Sequence, residues 1–212
     1  LKKEGYIFME EINQNSQTSL DFNSEILKPN NEDDLQRIIK FCYKKDLPIE
    51  IIGAGTKKDI GRKLQCAKVL DMSNISGIVE YKPEELYITV KAGTSINLVK
   101  EELKKNNQHL AFEPINFSGI FNKNSNEGTV GGTLACNFSG PRRFKVGSAR
   151  DHILGFKGYN GKGEKIKSGG TVVKNVTGYD LSKLITGSFG TLLAISEITL
   201  KVLPIESEKR TI

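Results

Sequence analysis

The stretch from Gly128 to Asp180 constrains this chain most, because it gathers glycine where a backbone must approach a partner closely. It opens with Gly128-Thr-Val-Gly-Gly-Thr-Leu-Ala135 and continues through Ser139-Gly-Pro-Arg-Arg143. Gly147-Ser-Ala-Arg-Asp151 and Lys174-Asn-Val-Thr-Gly-Tyr-Asp180 follow. Residues without Cβ admit positive φ and let main-chain N–H groups reach a bound anion. A second small-residue turn, Ile52-Gly-Ala-Gly-Thr-Lys57, lies far upstream. Two separated cradles with hydroxyls and clustered arginines point to an extended phosphorylated ligand of dinucleotide size.

The 212 residues suffice for one large domain or two small lobes with a buried core. With 37% apolar and 26% charged residues, disorder is excluded, and no apolar run approaches bilayer length. No secretory leader is visible, and the first residue is Leu1, so a lost targeting segment stays open. The expected compartment is the cytoplasm, with at most a peripheral association at the inner face of the cell membrane. Three scattered cysteines read as reduced, and two distant histidines, His109 and His152, give no metal-ligand spacing. The net charge of +6 raises nucleic acid as a partner, but the lysines are dispersed among acids, as in Lys100-Glu-Glu-Leu-Lys-Lys105. A nucleic-acid partner is therefore not expected. Three of the six arginines, Arg142, Arg143 and Arg150, fall inside the glycine-rich region.

Residues 1–23 read as a polar lead-in. A short strand at Glu25–Pro29 precedes a helix capped by Asn30 or Asn31, with Glu32, Asp33 and Asp34 at its positive end. Leu35, Ile38, Ile39 and Cys42 form its apolar stripe, and Pro48–Ile52 returns as a strand. Val69–Asp71, Gly77–Tyr81, Leu86–Lys91 and Leu110–Phe112 read as further strands, with a helix over Ser95–Lys105. Together they predict a first α+β lobe with a mixed sheet over 24–114. After a polar loop at 115–127, a second lobe over 128–204 contains a hairpin at Asn160-Gly161, a short helix at Leu181–Ile185 and a closing strand at Leu192–Leu203.

Gly53-Ala-Gly55 follows a strand as a Rossmann fingerprint would, yet Lys58 stands where the third glycine belongs. No Gly-Lys-Ser/Thr follows at P-loop spacing. Two readings remain open for this segment alone: an ordinary strand-ending turn, or a turn whose consecutive N–H groups cup a pyrophosphate.

Taken in order, Gly53-Ala-Gly-Thr-Lys57, Ala92-Gly-Thr94, Phe112-Glu-Pro114, Leu134–Arg143, Gly147–Asp151, Lys174–Leu184 and Leu200–Pro204 resemble the vanillyl-alcohol oxidase and p-cresol methylhydroxylase (PCMH-type) flavoproteins. The resemblance covers roughly residues 25–204 and, within the family, is nearest to FAD-binding subunits of glycolate oxidases. It implies an α+β, two-lobed FAD-binding domain with mixed sheets flanked by helices. It also implies main-chain contacts to the FAD pyrophosphate from Gly53, Ala54, Gly55, Thr56 and Lys57. Gly131 and Gly132 match paired glycines at a helix start. Pro114, Ala135, Ser139, Gly147, Ser148 and Asp151 match further cofactor-lining positions, and Ile195 and Glu197 the strand meeting the adenine end.

Relatives that attach FAD covalently use a histidine in the pyrophosphate turn. Thr56 and Lys57 stand there, so noncovalent FAD is expected. No carboxylate clamp or base is identifiable. In this family such groups come largely from a cap domain beyond the position where this chain ends, so no catalytic residue is assigned and the isolated chain is expected to be inactive. The implied activity is that of the FAD component of a glycolate (2-hydroxy acid) oxidase or dehydrogenase complex. Its partners would be a paralogous FAD subunit and an iron–sulfur subunit. The alternatives are a non-catalytic FAD-binding assembly module, or a fragment of a D-lactate-type dehydrogenase.

Overall fold

The computed structural model describes residues 20–117, 128–171 and 178–206. The expected loop at 115–127 and the Lys174–Thr177 phrase lie mostly outside them, as do most of the lead-in and the tail.

Strand β1 (Ile26–Leu27) leads into helix α1 (Glu32–Lys44). Asn31 caps it: its Oδ1 accepts the Asp34 N–H at 2.8 Å, and three acids occupy the first turn. Leu35, Ile38, Ile39 and Cys42 are buried, as the helical spacing requires. Strand β2 (Ile49–Ile52) follows, and both β1 and β2 pair in parallel with β3 (Lys68–Asp71) in the order β1-β3-β2. Beyond β3 come β4 (Ile78–Lys82), β5 (Tyr87–Lys91) and helix α2 (Ile96–Lys104), whose buried face is Ile96, Val99 and Leu103.

The second sheet is antiparallel and five-stranded. Its order is β4-β5-β9-β7-β8, with β7 at Ile153–Asn160, β8 at Lys165–Gly169 and β9 at Leu193–Lys201. The fold is α+β as expected, but parallel and antiparallel pairings are segregated into separate sheets. Strand pairing also crosses the lobe division read from the sequence, because β4 and β5, expected with the first lobe, ladder onto β9 through β5.

Strand β9 shows no alternation of burial: every residue from Leu193 to Leu200 is buried. It is the central strand and is covered on both faces, so apolar residues are accommodated on either side. On one face Leu193, Ile195, Ile198 and Leu200 join α2, helix α3 (Val130–Cys136) and helix α6 (Leu181–Ile185) in the larger core. On the other, Ala194 and Tyr159 meet the apolar stripe of α1. Helix α1 is thus shared between the two sheets.

An ionic cluster reinforces that junction. Glu32 at the start of α1 pairs with Lys91 at 3.1 Å and Lys165 at 2.7 Å, while Glu197 pairs with Lys91 at 3.1 Å and Lys157 at 2.7 Å. Burial alone would raise the Glu32 carboxyl, but hydrogen bonds from the two lysines outweigh it and hold its pKa at about 2.

Leu110–Phe112 is not a strand. The ladder sits two residues earlier, where β6 (Gln108–His109) pairs with β10 (Leu203–Pro204). Leu110, Ala111 and Phe112 are nevertheless buried, so their apolar run records core packing without sheet pairing. The hairpin at Asn160–Gly163 forms as expected, with the Asn160 Oδ1 accepting the N–H groups of Lys162 and Glu164 at 3.0 Å each.

Candidate cofactor cavity

Strand β2 delivers the chain into the turn Gly53–Lys57, which forms one wall of a cavity of about 930 Å³. The start of α3 faces it, and Leu193 and Ile195 of β9 contribute to the lining. Of the expected site residues, Gly53, Ala54, Gly55, Thr56, Lys57, Gly131, Gly132, Ala135 and Ile195 all line this one space. They come from three separate stretches of sequence.

Different physics brings the glycines here. A Cβ at Gly53 would fall 2.2 Å from the Thr129 Oγ1, and one at Gly131 would fall 2.9 Å from the Ala92 Cβ and carbonyl oxygen. These two let the turn, β5 and α3 close together. Gly55 differs: its φ is +66° and nothing lies within 4 Å of a Cβ placed there, so its backbone faces open space.

The main-chain donors divide in the same way. The Gly131 N–H donates to the Ala92 carbonyl at 2.8 Å, and the Gly132 N–H to the Thr129 Oγ1 at 3.2 Å. Both glycine N–H donors at this helix start are therefore engaged within the protein. The two glycines shape the wall instead. In the turn, by contrast, no hydrogen bond among the described residues engages the N–H groups of Ala54, Thr56 or Lys57, although Thr56 is buried. Among the described residues these amides are therefore open to an acceptor, and a donor that finds none on folding is costly.

Charge agrees with that arrangement. The ionisable side chains lining the cavity, apart from its two cysteines, comprise four cations (Lys57, Lys58, Arg62, Lys63) and two acids (Glu50, Asp59). Glu50 is already committed to Lys58 at 3.2 Å. Burial pushes the Lys57 ammonium below its usual pKa, opposed by the nearby Cys136 thiol, and burial raises that thiol in turn. A partly apolar cavity of this volume, with open amides and surplus positive charge, fits a dinucleotide such as FAD.

The remaining expected residues lie elsewhere. Beyond helix α4 (Arg143–Val146), Ser148 donates its N–H and O–H to the Asp151 Oδ2 at 2.8 and 2.9 Å, closing helix α5 (Ala149–His152) in a capping box. The Ser139 Oγ accepts the Ala149 N–H at 2.9 Å, and a Cβ at Gly147 would press against Asp151 at 2.8 Å. These four residues are engaged within their own segment and are not among those lining the cavity. Pro114 also lies off the lining, and the Glu197 side chain belongs to the lysine cluster. Arg142 pairs with Glu206 at 2.7 Å. His152 is buried, its Nε2 2.9 Å from the Val146 carbonyl, and neither histidine lines the cavity.

Sequence reasoning missed Thr129, Cys136, Phe189 and the segment 60–66, all of which line the space. Thr129 was findable as an N-cap hydroxyl before Val130-Gly-Gly. Phe189 has φ +53° and continues an aromatic run through Phe138 (6.1 Å) to Phe117 (5.0 Å further), which no local pattern announces. No cluster of three His, Cys, Asp or Glu able to hold a metal occurs among the described residues. Nor is any described helix long and apolar enough to cross a membrane.

Comparison with known proteins adds identity to this geometry. Residues 24–169 match the family described as FAD binding domain. The chain is 41% identical over 157 residues to glycolate oxidase subunit GlcE of Escherichia coli, covering 74% of this chain and 43% of that protein. It is 30% identical to glycolate oxidase subunit GlcD of Bacillus subtilis over 88% of this chain and 38% of that protein. A D-lactate dehydrogenase of Anaerostipes hadrus shares 28% identity over 84% of this chain and 36% of that protein. The chain thus spans less than half the length of these relatives. Among solved structures, an alkyldihydroxyacetonephosphate synthase superposes with a TM-score of 0.68 at 21% identity, over 86% of this chain and 32% of the other, which shows a shared fold.

Proposed function

The chain belongs to the PCMH-type family of FAD binding domains, and from that premise we propose that it is the FAD-carrying component of a glycolate (2-hydroxy acid) oxidoreductase complex. The observation that carries this reading is the 41% identity to a glycolate oxidase subunit, sustained over most of the chain. FAD supplies the two-electron chemistry when bound, and the protein supplies position and field. We take residues 24–204 as the domain, built as two lobes (24–114 and 128–204) that share the antiparallel sheet. FAD is held without a covalent link, since no histidine lines the cavity.

In this reading the turn Gly53–Lys57 receives the diphosphate on its open amides. Gly131, Gly132, Ala135 and Ile195 shape the wall without donating to it. Pro114, Ser139, Gly147, Ser148, Asp151 and Glu197 act from behind the wall, holding the elements that form it. The partners would be a paralogous flavin subunit and an iron–sulfur subunit, in the cytoplasm or at the inner face of the membrane. The isolated chain would be inactive towards substrate.

The test uses the assembled complex. Replacing Ala135, which lines the cavity, by tryptophan should remove one flavin per complex and abolish glycolate-dependent electron transfer. Loss of that flavin with full activity would reject the catalytic reading and leave an assembly role. The 28% identity to a D-lactate dehydrogenase favours a second reading, in which D-lactate is the donor. Anaerobic bleaching by D-lactate but not glycolate would select it.

A further inference from the structure

We infer that the Lys57 side chain, beyond the turn that carries it, is a counter-cation for the diphosphate of the bound cofactor. This rests on the reading of the chain as an FAD-binding domain, and it assigns a specific charge to one side chain of the cavity.

The inference starts from how lysines are treated elsewhere in the molecule. Lys58, Lys91, Lys157 and Lys165 each meet a carboxylate within 3.2 Å. Lys57 does not. Its Nζ has the Thr56 Oγ1 at 3.5 Å, at the limit of hydrogen bonding, and the Phe117 ring with its centroid 5.7 Å away. Among the described residues no acid pairs with it. Yet it lines the cavity and is half-buried, with its pKa pushed down by burial. An ammonium withdrawn from water without a counter-charge is unfavourable, and the ordinary remedy is an anion at the same place.

The surroundings show where the anion enters. Gly128, at φ +94°, carries no Cβ, and one placed there would come within 3.2 Å of the Lys57 Nζ. That glycine keeps open the space the ammonium uses. Lys57 also sits in the turn whose Ala54, Thr56 and Lys57 amides have no partner among the described residues, so point charge and amide donors converge on one region. A compact ammonium beside open amides suits phosphoryl oxygens, which concentrate negative charge. The flavin ring offers no comparable charge in its oxidised form.

Proton uptake on binding separates this role from a structural one. Because burial depresses the Lys57 pKa, a diphosphate anion beside it should restore it. Binding at alkaline pH should therefore take up a proton. The titratable group facing Lys57 is the Cys136 thiol on α3, itself held up by burial, so Cys136→Ser serves as the control for proton uptake.

The experiment titrates the full chain with FAD and, separately, with ADP, which carries a diphosphate but no flavin. Lys57→Met should weaken both by the same factor, about tenfold or more. It should also abolish proton uptake in calorimetry across buffers of different ionisation enthalpy, and leave the melting temperature of the empty protein unchanged or raised. Lys57→Arg should recover most of the affinity. Equal affinity of the wild-type chain and Lys57→Met for both ligands overturns the inference. So does a loss confined to FAD with ADP unaffected, since that outcome places the charge at the flavin. Failure of the wild-type chain to bind FAD at all overturns the underlying domain reading as well, and is distinguishable because it precedes any variant.

Discussion

The turn Gly53–Lys57 and the segment Ser139–Asp151 are written in the same vocabulary of glycine, hydroxyl and cation, yet they do opposite things. In the first, a Cβ at Gly55 would meet nothing within 4 Å, and the amides of Ala54, Thr56 and Lys57 have no partner among the described residues. In the second, the missing Cβ of Gly147 leaves room for Asp151, Ser148 closes on the same carboxylate, and Ser139 holds the Ala149 amide. One region is left unsatisfied towards a cavity, while the other is satisfied by itself. A glycine-rich phrase therefore marks close approach, and only geometry says whether a ligand or the chain's own backbone is approached.

That contrast can be broken experimentally, beginning with its largest consequence. Gly53→Ala should destabilise the fold by about 2–3 kcal/mol, because the new methyl group overlaps the Thr129 side chain at the seam between turn and α3. A urea titration measures it, and FAD affinity should fall as well. Asp151→Ala should cost roughly 1–2 kcal/mol by removing the α5 cap, and should leave FAD affinity unchanged. A large loss of FAD affinity there would return Ser148 and Asp151 to the cavity.

The junction of the two sheets gives an effect of roughly 1 kcal/mol after allowing for solvent screening. Glu32 has a folded pKa of about 2 against an ordinary 4.5, so the unfolded chain binds the proton more readily. Its contribution is present above pH 4.5 and is lost as pH falls towards 2. Glu32→Gln should flatten the urea midpoint across that window. The smallest change expected is at Gly55→Ala, about 1 kcal/mol or less of stability for placing a side chain at positive φ. Stability should barely move while FAD affinity falls, the reverse of Asp151→Ala.

Much of this was legible in advance, for identifiable reasons. The Asn31 cap, the Leu35–Cys42 stripe, the Ser95 start of α2 and the Asn160 hairpin depend on local spacing, which sequence displays directly. Leu110–Phe112 misled because a buried coil and a buried strand carry the same apolar residues. The passage of β5 into the second sheet and the double-sided burial of β9 depend on partners over a hundred residues away. At the site, three stretches singled out in the sequence line one cavity, but which amides remain open was invisible, since Thr129 and Ala92 consume those of Gly132 and Gly131 through tertiary contact.

The most direct measurement is a calorimetric titration of the purified chain with FAD, run on the wild type, Ala135→Trp and Asp151→Ala. Saturable binding of one FAD by the wild type and by Asp151→Ala, with none by a folded Ala135→Trp, is the outcome expected. Equal binding by all three proteins, or none by the wild type, would contradict the assignment of this cavity to the cofactor.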